Sequence, residues 1–120
     1  MTEREIQYDI LAKCNSGGTR LWRNHSGRVQ CARTGRWHPF GIPGKGGADL
    51  IGIQQVVITP EMVGQTVAVF LAVEVKSATG KVTTDQKNFL KFISDSGGLA
   101  GIARSAQDAI SISISNQPTK

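Results

Sequence analysis

The sequence predicts an α/β domain built on a small mixed sheet flanked by helices. Three observations carry this expectation. Segments with apolar residues at helical spacing alternate with short, nearly unbroken apolar runs. The helical segments open on side chains suited to capping the first turn. Paired glycines, Gly17-Gly18 and Gly97-Gly98, stand where two of those helices must stop. The predicted order is α-β-β-β-α-β.

Thr2-Glu3-Arg4-Glu5 is a capping box, with Thr2 as N-cap and Glu5 reaching back, and Ile6, Ile10, Leu11 and Cys14 follow at helical spacing. Leu21–Asn24 reads as a short strand. Residues 26–47 are rich in Gly, Arg and Pro without periodicity, and read as a long basic loop. Ala48–Ile53, extended by Val56–Ile58, reads as a second strand, and Thr59–Gly64 as a turn. Thr66–Lys76 is the third strand, apolar from Val67 to Val73 and so expected to be central and covered on both faces. Thr83 opens a second helix, with Gln86 in the capping-box position and Phe89, Leu90 and Ile93 on its inner face. Leu99–Ala103 is a last strand. Ser105, with Asp108 three residues on, caps a final helix that gives way to a frayed tail at about 113–120; the alternation of Ile110, Ile112 and Ile114 also fits an edge strand. The strands before and after Thr59–Gly64 are expected to be antiparallel. The third and fourth, joined through a helix, are expected to be parallel.

The 120 residues make one domain, 1–120, with a single core. Hydrophobic residues at 39% and charged residues at 19% exclude a disordered chain. The longest apolar run is far short of a membrane span, the N-terminus lacks the basic and apolar regions of a signal peptide, and the two cysteines have no framework spacing. The expected location is cytoplasmic, with no membrane partner.

Charge is distributed unevenly. The chain carries +5, yet Ile10–Ala48 contains no acid and holds Lys13, Arg20, Arg23, Arg28, Arg33, Arg36 and Lys45, a charge of +7. The rest of the chain carries −2. One continuous basic segment suits a polyphosphate partner, because neutralising phosphates releases counterions.

Glu74 and Lys76 flank Val75 at the end of the apolar strand, on one face by the two-residue period. Such charges are costly unless paired or engaged with a metal. A surface salt bridge is one reading and a metal site the other. Asp49 opens the preceding strand, and antiparallel pairing about the Glu61-Met62 turn sets it opposite Glu74. Two opposed carboxylates destabilise a sheet. A hard divalent cation between them, Mg²⁺ or Mn²⁺, removes the penalty.

Asp49 followed by Glu74-Val75-Lys76 resembles the signature of the PD-(D/E)XK nucleases, and the whole chain more closely resembles the VRR-NUC domain. The matching stretches are Glu3–Gln7, Trp22-Arg23-Asn24, Gly41–Asp49, Glu74-Val75-Lys76, Thr83–Phe89 and Gly97–Ala103, in the family's order. Ala48 departs from the proline that the superfamily name places before the Asp. The resemblance implies a restriction-endonuclease-like core. It implies Asp49 and Glu74 as metal ligands with the Val75 carbonyl, and Glu3 as the acid completing the shell, through water. Lys76 would orient the attacking water and steady phosphate charge, and Gln86 would lie near it. Glu3 and Gln86 also have ordinary roles, at the helix dipole and in the capping box. DNA contacts are expected from Arg20, Arg23, Asn24, Arg28, Arg33, Arg36, Lys45 and Lys87.

Other chemistries fit poorly. Gly44-Lys45-Gly46 lacks the spacing of a phosphate-binding P-loop, so no nucleotide cofactor is expected. Cys14, His25, Cys31 and His38 lack zinc spacing. Cys14 and Trp22 read as core residues, and Trp37 as core, interface or DNA-facing. By resemblance to free-standing domains of phages and prophages, the expected function is a Mg²⁺-dependent endonuclease. It would cut branched duplex DNA as a homodimer resolving four-way junctions. The alternatives are a nickase or end-processing nuclease, and a DNA-binding module without catalysis.

Overall fold

The computed structural model describes residues 1–114, which form a mixed α/β structure of small sheets flanked by helices. They fall into two compact units, one over Met1–Val56 and one from Val57 onward.

The first unit holds α1 (Glu3–Cys14), β1 (Thr19–Arg23), β2 (Gly27–Gln30), β3 (Trp37–Phe40) and β4 (Leu50–Gln54). Its capping box forms in full: the Glu5 amide donates to Thr2 Oγ1 (3.1 Å) and the Thr2 amide to Glu5 Oε2 (2.7 Å). The helix lies against β1. Asn15, just past its end, accepts from the Leu21 amide (2.6 Å) and donates to the Leu21 carbonyl, tying helix to strand. Strand β1 pairs antiparallel with β4, from Thr19 opposite Gln54 to Arg23 opposite Leu50.

The second unit holds a 3₁₀ turn (Pro60–Met62), β5 (Leu71–Val75), α2 (Thr84–Asp95), β6 (Leu99–Ala103) and α3 (Ala106–Ile114). Strands β5 and β6 are parallel and in step, Leu71 opposite Leu99 and Val75 opposite Ala103. Helix α2 makes the crossover that parallel strands require. It starts on a second complete capping box, between Thr83 and Gln86. It stops at Gly97, whose φ of 98° favours glycine. Both α2 and α3 pack on β6. Ile93 of α2 is fully buried, and Ala103 of β6 nearly so. The last helix is capped by Ser105, whose Oγ accepts from the Asp108 amide (3.1 Å). Ile110 and Ile112 thus lie on a helix and not on an edge strand. Residues 115–120 of the expected tail lie outside the described residues.

Four expectations need correcting. The second strand ends at Gln54 and does not continue through Val56–Ile58; within the first unit it pairs with β1, and within the second unit β5 pairs with β6. The physical reason is the connection. Residues 55–70 hold no strand, and the chain instead turns through Pro60–Met62 and Gly64, whose φ is 87°.

The long apolar strand is correspondingly shorter, Leu71–Val75, and Val67 and Val69 are exposed rather than covered. The basic stretch 26–47 is not one loop, because β2 and β3 form an antiparallel hairpin within it. Finally, Cys14 is exposed and Trp22 half-buried.

Ile93→Ala removes the one large side chain with 0% exposure among the described residues, and is expected to cost about 2–5 kcal/mol in urea unfolding. Ile6→Ala, at a position 44% exposed, is expected to cost less than about 1 kcal/mol. Equal costs at the two positions would contradict this placement of the core.

Candidate functional site

Strand β5 ends in Glu74-Val75, and its ladder runs one rung further, where the Lys76 amide donates to the Ala103 carbonyl (3.0 Å). The parallel pairing thus holds all three backbones. Glu74 and Lys76 are half-buried, whereas Val75 is exposed. Beyond Lys76 the chain folds into a turn in which the Gly80 amide donates to the Ser77 carbonyl and hydroxyl. Arg104, one residue past β6, closes that turn: its guanidinium donates to the Ser77 carbonyl and to the Gly80 carbonyl (2.8 Å). The Asp108 carboxylate in turn accepts from the Arg104 amide (2.9 Å). Sequence reasoning missed Arg104, because its partners are backbone carbonyls that leave no mark in a sequence.

An open cavity of about 300 Å³ lies between β5 and the start of α2, lined by Ala72, Val73, Glu74, Asp85, Gln86, Phe89 and Leu90. The structure therefore brings Glu74 and Gln86 to one cavity, and adds Asp85. Gln86 forms the capping box expected of it and also borders the cavity. Its Oε1 accepts from the Thr83 amide (3.0 Å), and its side chain lines the cavity. Lys87 is exposed on the same helix.

In the first unit, Asp49 is exposed immediately before β4, its carbonyl accepting from the Asn24 amide (2.8 Å). Glu3 is exposed in the first turn of α1. Arg20 and Arg23 are exposed on β1, Arg28 on β2, and Arg33 and Arg36 in the β2–β3 connection; Lys45 is exposed in the glycine-rich loop before Asp49. The hairpin pairs Arg28 with Pro39 and Gln30 with Trp37. Trp37 is 55% exposed, which excludes a core role.

The donor chemistry of Asp49 and Glu74 fits a hard cation. Both are carboxylates, and among the described residues neither has an ion-pair partner; the ion pairs there join Lys13 to Asp9 and Lys91 to Asp95. The surface salt bridge between Glu74 and Lys76 is thus absent among the described residues. Nor, among the described residues, do three or more His, Cys, Asp or Glu side chains gather as a metal-holding group.

Compared with known protein families, the chain matches the VRR-NUC domain over residues 3–107. It belongs to the VRR-NUC family. The match includes Glu3, the basic segment, Asp49, Glu74-Val75-Lys76 and Gln86 in a single span. VRR-NUC domains are a branch of the PD-(D/E)XK superfamily, so the chain has a nuclease-type, DNA-directed function. Comparisons with curated proteins and with solved structures gave no match. No helix among the described residues is long and apolar enough to cross a membrane.

The tip of the hairpin carries the molecule's most perturbed thiol. Cys31 is held below the ordinary thiol range, first by the Thr34 hydroxyl and then by the amides of Thr34 and Arg33. A lowered thiol is more thiolate near neutrality, and the thiolate is what alkylates. Thr34→Val is therefore expected to slow iodoacetamide labelling of Cys31 at pH 7–8, with the difference closing once the pH exceeds both thiol values. Peptide mass mapping over a time course checks this. Equal labelling at neutral pH would contradict the turn geometry.

Proposed function

We propose that this VRR-NUC domain is a metal-dependent, structure-selective DNA endonuclease, a phosphodiester hydrolase that resolves four-way junctions as a homodimer. The observation that carries the reading is the family match across residues 3–107, a span that contains Asp49 and Glu74-Val75-Lys76, whose pattern resembles the superfamily signature. Asp49, Glu74 and the Val75 carbonyl would hold Mg²⁺, or Mn²⁺ in its place, with Glu3 completing the shell through water. A cation bound by these residues supplies an acidified water and relief of charge on the phosphate oxygens.

The chain's own groups do the rest. Lys76 orients the attacking water and steadies the negative charge that builds on the phosphate. Gln86, on the helix start that shares a cavity with Glu74, stands ready to hydrogen-bond the water or a phosphate oxygen. Substrate is held by the acid-free segment Ile10–Ala48. The β2–β3 ribbon supports this, because a two-stranded ribbon fits the major groove of duplex DNA. Arg28, Arg33 and Arg36 on and around it supply phosphate contacts, with Arg20, Arg23 and Lys45 elsewhere in the first unit and Lys87 on α2.

The homodimer follows from the substrate. Resolution needs two cuts related by a two-fold axis, one active site per chain supplies one cut, and an isologous pair supplies the symmetry. A reducing, cytoplasm-like compartment of a phage-infected or prophage-bearing cell fits the two free cysteines.

Asp49→Ala and Glu74→Ala are each expected to reduce cutting of a labelled four-way junction to background while leaving its binding largely intact. Comparable cutting by wild type and both variants would remove the site assignment. Arg28→Ala/Arg33→Ala/Arg36→Ala is expected to weaken binding and flatten its salt dependence, by about 0.9 in log–log slope for each duplex phosphate that the variant leaves unneutralised. Light scattering is expected to give twice 12.9 kDa without DNA. A monomer making paired symmetric cuts at low enzyme concentration would contradict the dimer.

A further inference from the structure

The sequence expectation sets Asn24 against DNA, yet its side chain is spent inside the protein. Its Nδ2 donates to the Ile42 carbonyl (2.6 Å) and to the Ala48 carbonyl (2.9 Å), and its Oδ1 accepts from the Ile42 amide (3.1 Å). Its own amide donates to the Asp49 carbonyl (2.8 Å). One residue at the end of β1 thus grips both ends of the loop Ile42–Asp49. Three of these bonds come from a single planar amide, so the two ends are fixed at once.

A second observation shows how tight that neck is. A Cβ on Gly47 would collide with the Ile42 carbonyl, the very group Asn24 holds. The loop can therefore close only with glycine at 47, and Asn24 is what holds it closed. Asp49 is the first residue out of this neck and lies one step before the β4 ladder begins, where Arg23 faces Leu50. Its backbone is fixed on one side by the sheet and on the other by the Asn24 amide and the gripped Ala48 carbonyl.

We infer that Asn24 is a positioning residue for Asp49, acting through the Ile42–Ala48 neck and not through contact with DNA. The inference rests on the nuclease reading above. It gives the glycine-rich stretch a mechanical purpose: the loop carries Lys45 at its exposed tip while its base sets the direction of a carboxylate. Groups that orient a metal ligand without touching the metal are commonly worth ~10–100-fold in metal affinity or activity.

The test uses the full chain with Asn24→Asp and, independently, Gly47→Ala. Asn24→Asp keeps the side chain's shape but loses both donations and sets a carboxylate against two carbonyls. Gly47→Ala opens the same neck by sterics. Each is measured for Mn²⁺ binding without DNA by electron paramagnetic resonance, for kcat on a four-way junction, and for junction Kd in Ca²⁺. Amide hydrogen exchange provides the local readout.

Both variants are expected to exchange faster at residues 42–49 while protection in α2 and β6 is kept. Mn²⁺ affinity and kcat are expected to fall ~10-fold or more, with junction Kd changed less than about threefold. The reverse split, weaker junction binding with kcat and Mn²⁺ affinity retained, would overturn the inference and make Asn24 a DNA contact. Unchanged Mn²⁺ affinity and kcat in both variants of an active wild type would overturn it alone. A wild type that neither binds Mn²⁺ nor cuts would overturn the nuclease reading and the inference together.

Discussion

Parallel strands cannot be joined by a turn, and this constraint organises the second unit. The chain leaving β5 must travel far enough to re-enter in the same direction, and α2 is the element that does so. Once it crosses, its first turn and the end of β5 line one cavity, bringing Gln86 and Asp85 to Glu74. The capping box at Thr83 fixes where the helix begins, and the last rung of the ladder, Lys76 to Ala103, fixes where the strand ends. Arg104 clasps the turn between them from the far end of β6. The signature Glu74-Val75-Lys76 is thus held by backbone pairing and one guanidinium, leaving the Glu74 and Lys76 side chains without ion-pair partners among the described residues.

The first unit solves a different problem. Its segment Ile10–Ala48 carries seven cations and no acid, with Lys13 paired to Asp9 just outside it, and a run of like charge repels itself unless its backbone is held. The β1–β4 ladder, the β2–β3 hairpin and the Asn24 grip on the glycine-rich loop do the holding. Each restrains a different stretch, so the cations are spread over strands and turns in place of one slack loop. The glycine at 47 is part of the same solution, since the neck closes only without a side chain there.

Much of this is legible in the sequence where the signal is local. Thr2 with Glu5 and Thr83 with Gln86 read as capping boxes and are both complete, because a cap depends on four neighbouring residues. The parallel pairing of Leu71–Val75 with Leu99–Ala103 follows from the helix between them. What is not legible is pairing that no helix or turn signal announces. The hairpin β2–β3 escapes a sequence reading because its strands are four residues long, contain Pro39 and Gly27, and have almost no covered face to impose alternation. Strand length is also hard to read: the apolar runs flanking Glu61-Met62 suggest long strands, whereas the sixteen residues from Gln55 to Phe70 contain none. Asn24 can be seen as part of a motif, but its partners are carbonyls and an amide at positions 42 and 48, which carry no side-chain signature.

The proposed cation-dependent cutting of DNA is tested most directly by a time course on a four-way junction labelled in each arm. The purified chain is incubated with Mg²⁺, with Mn²⁺ and with excess chelator, alongside linear duplex of the same sequence. Paired nicks near the branch point are expected with either cation, slower or no cutting of the linear duplex, and none under chelation. A protein that retards the junction in a gel yet leaves every strand whole with both cations would contradict the proposal.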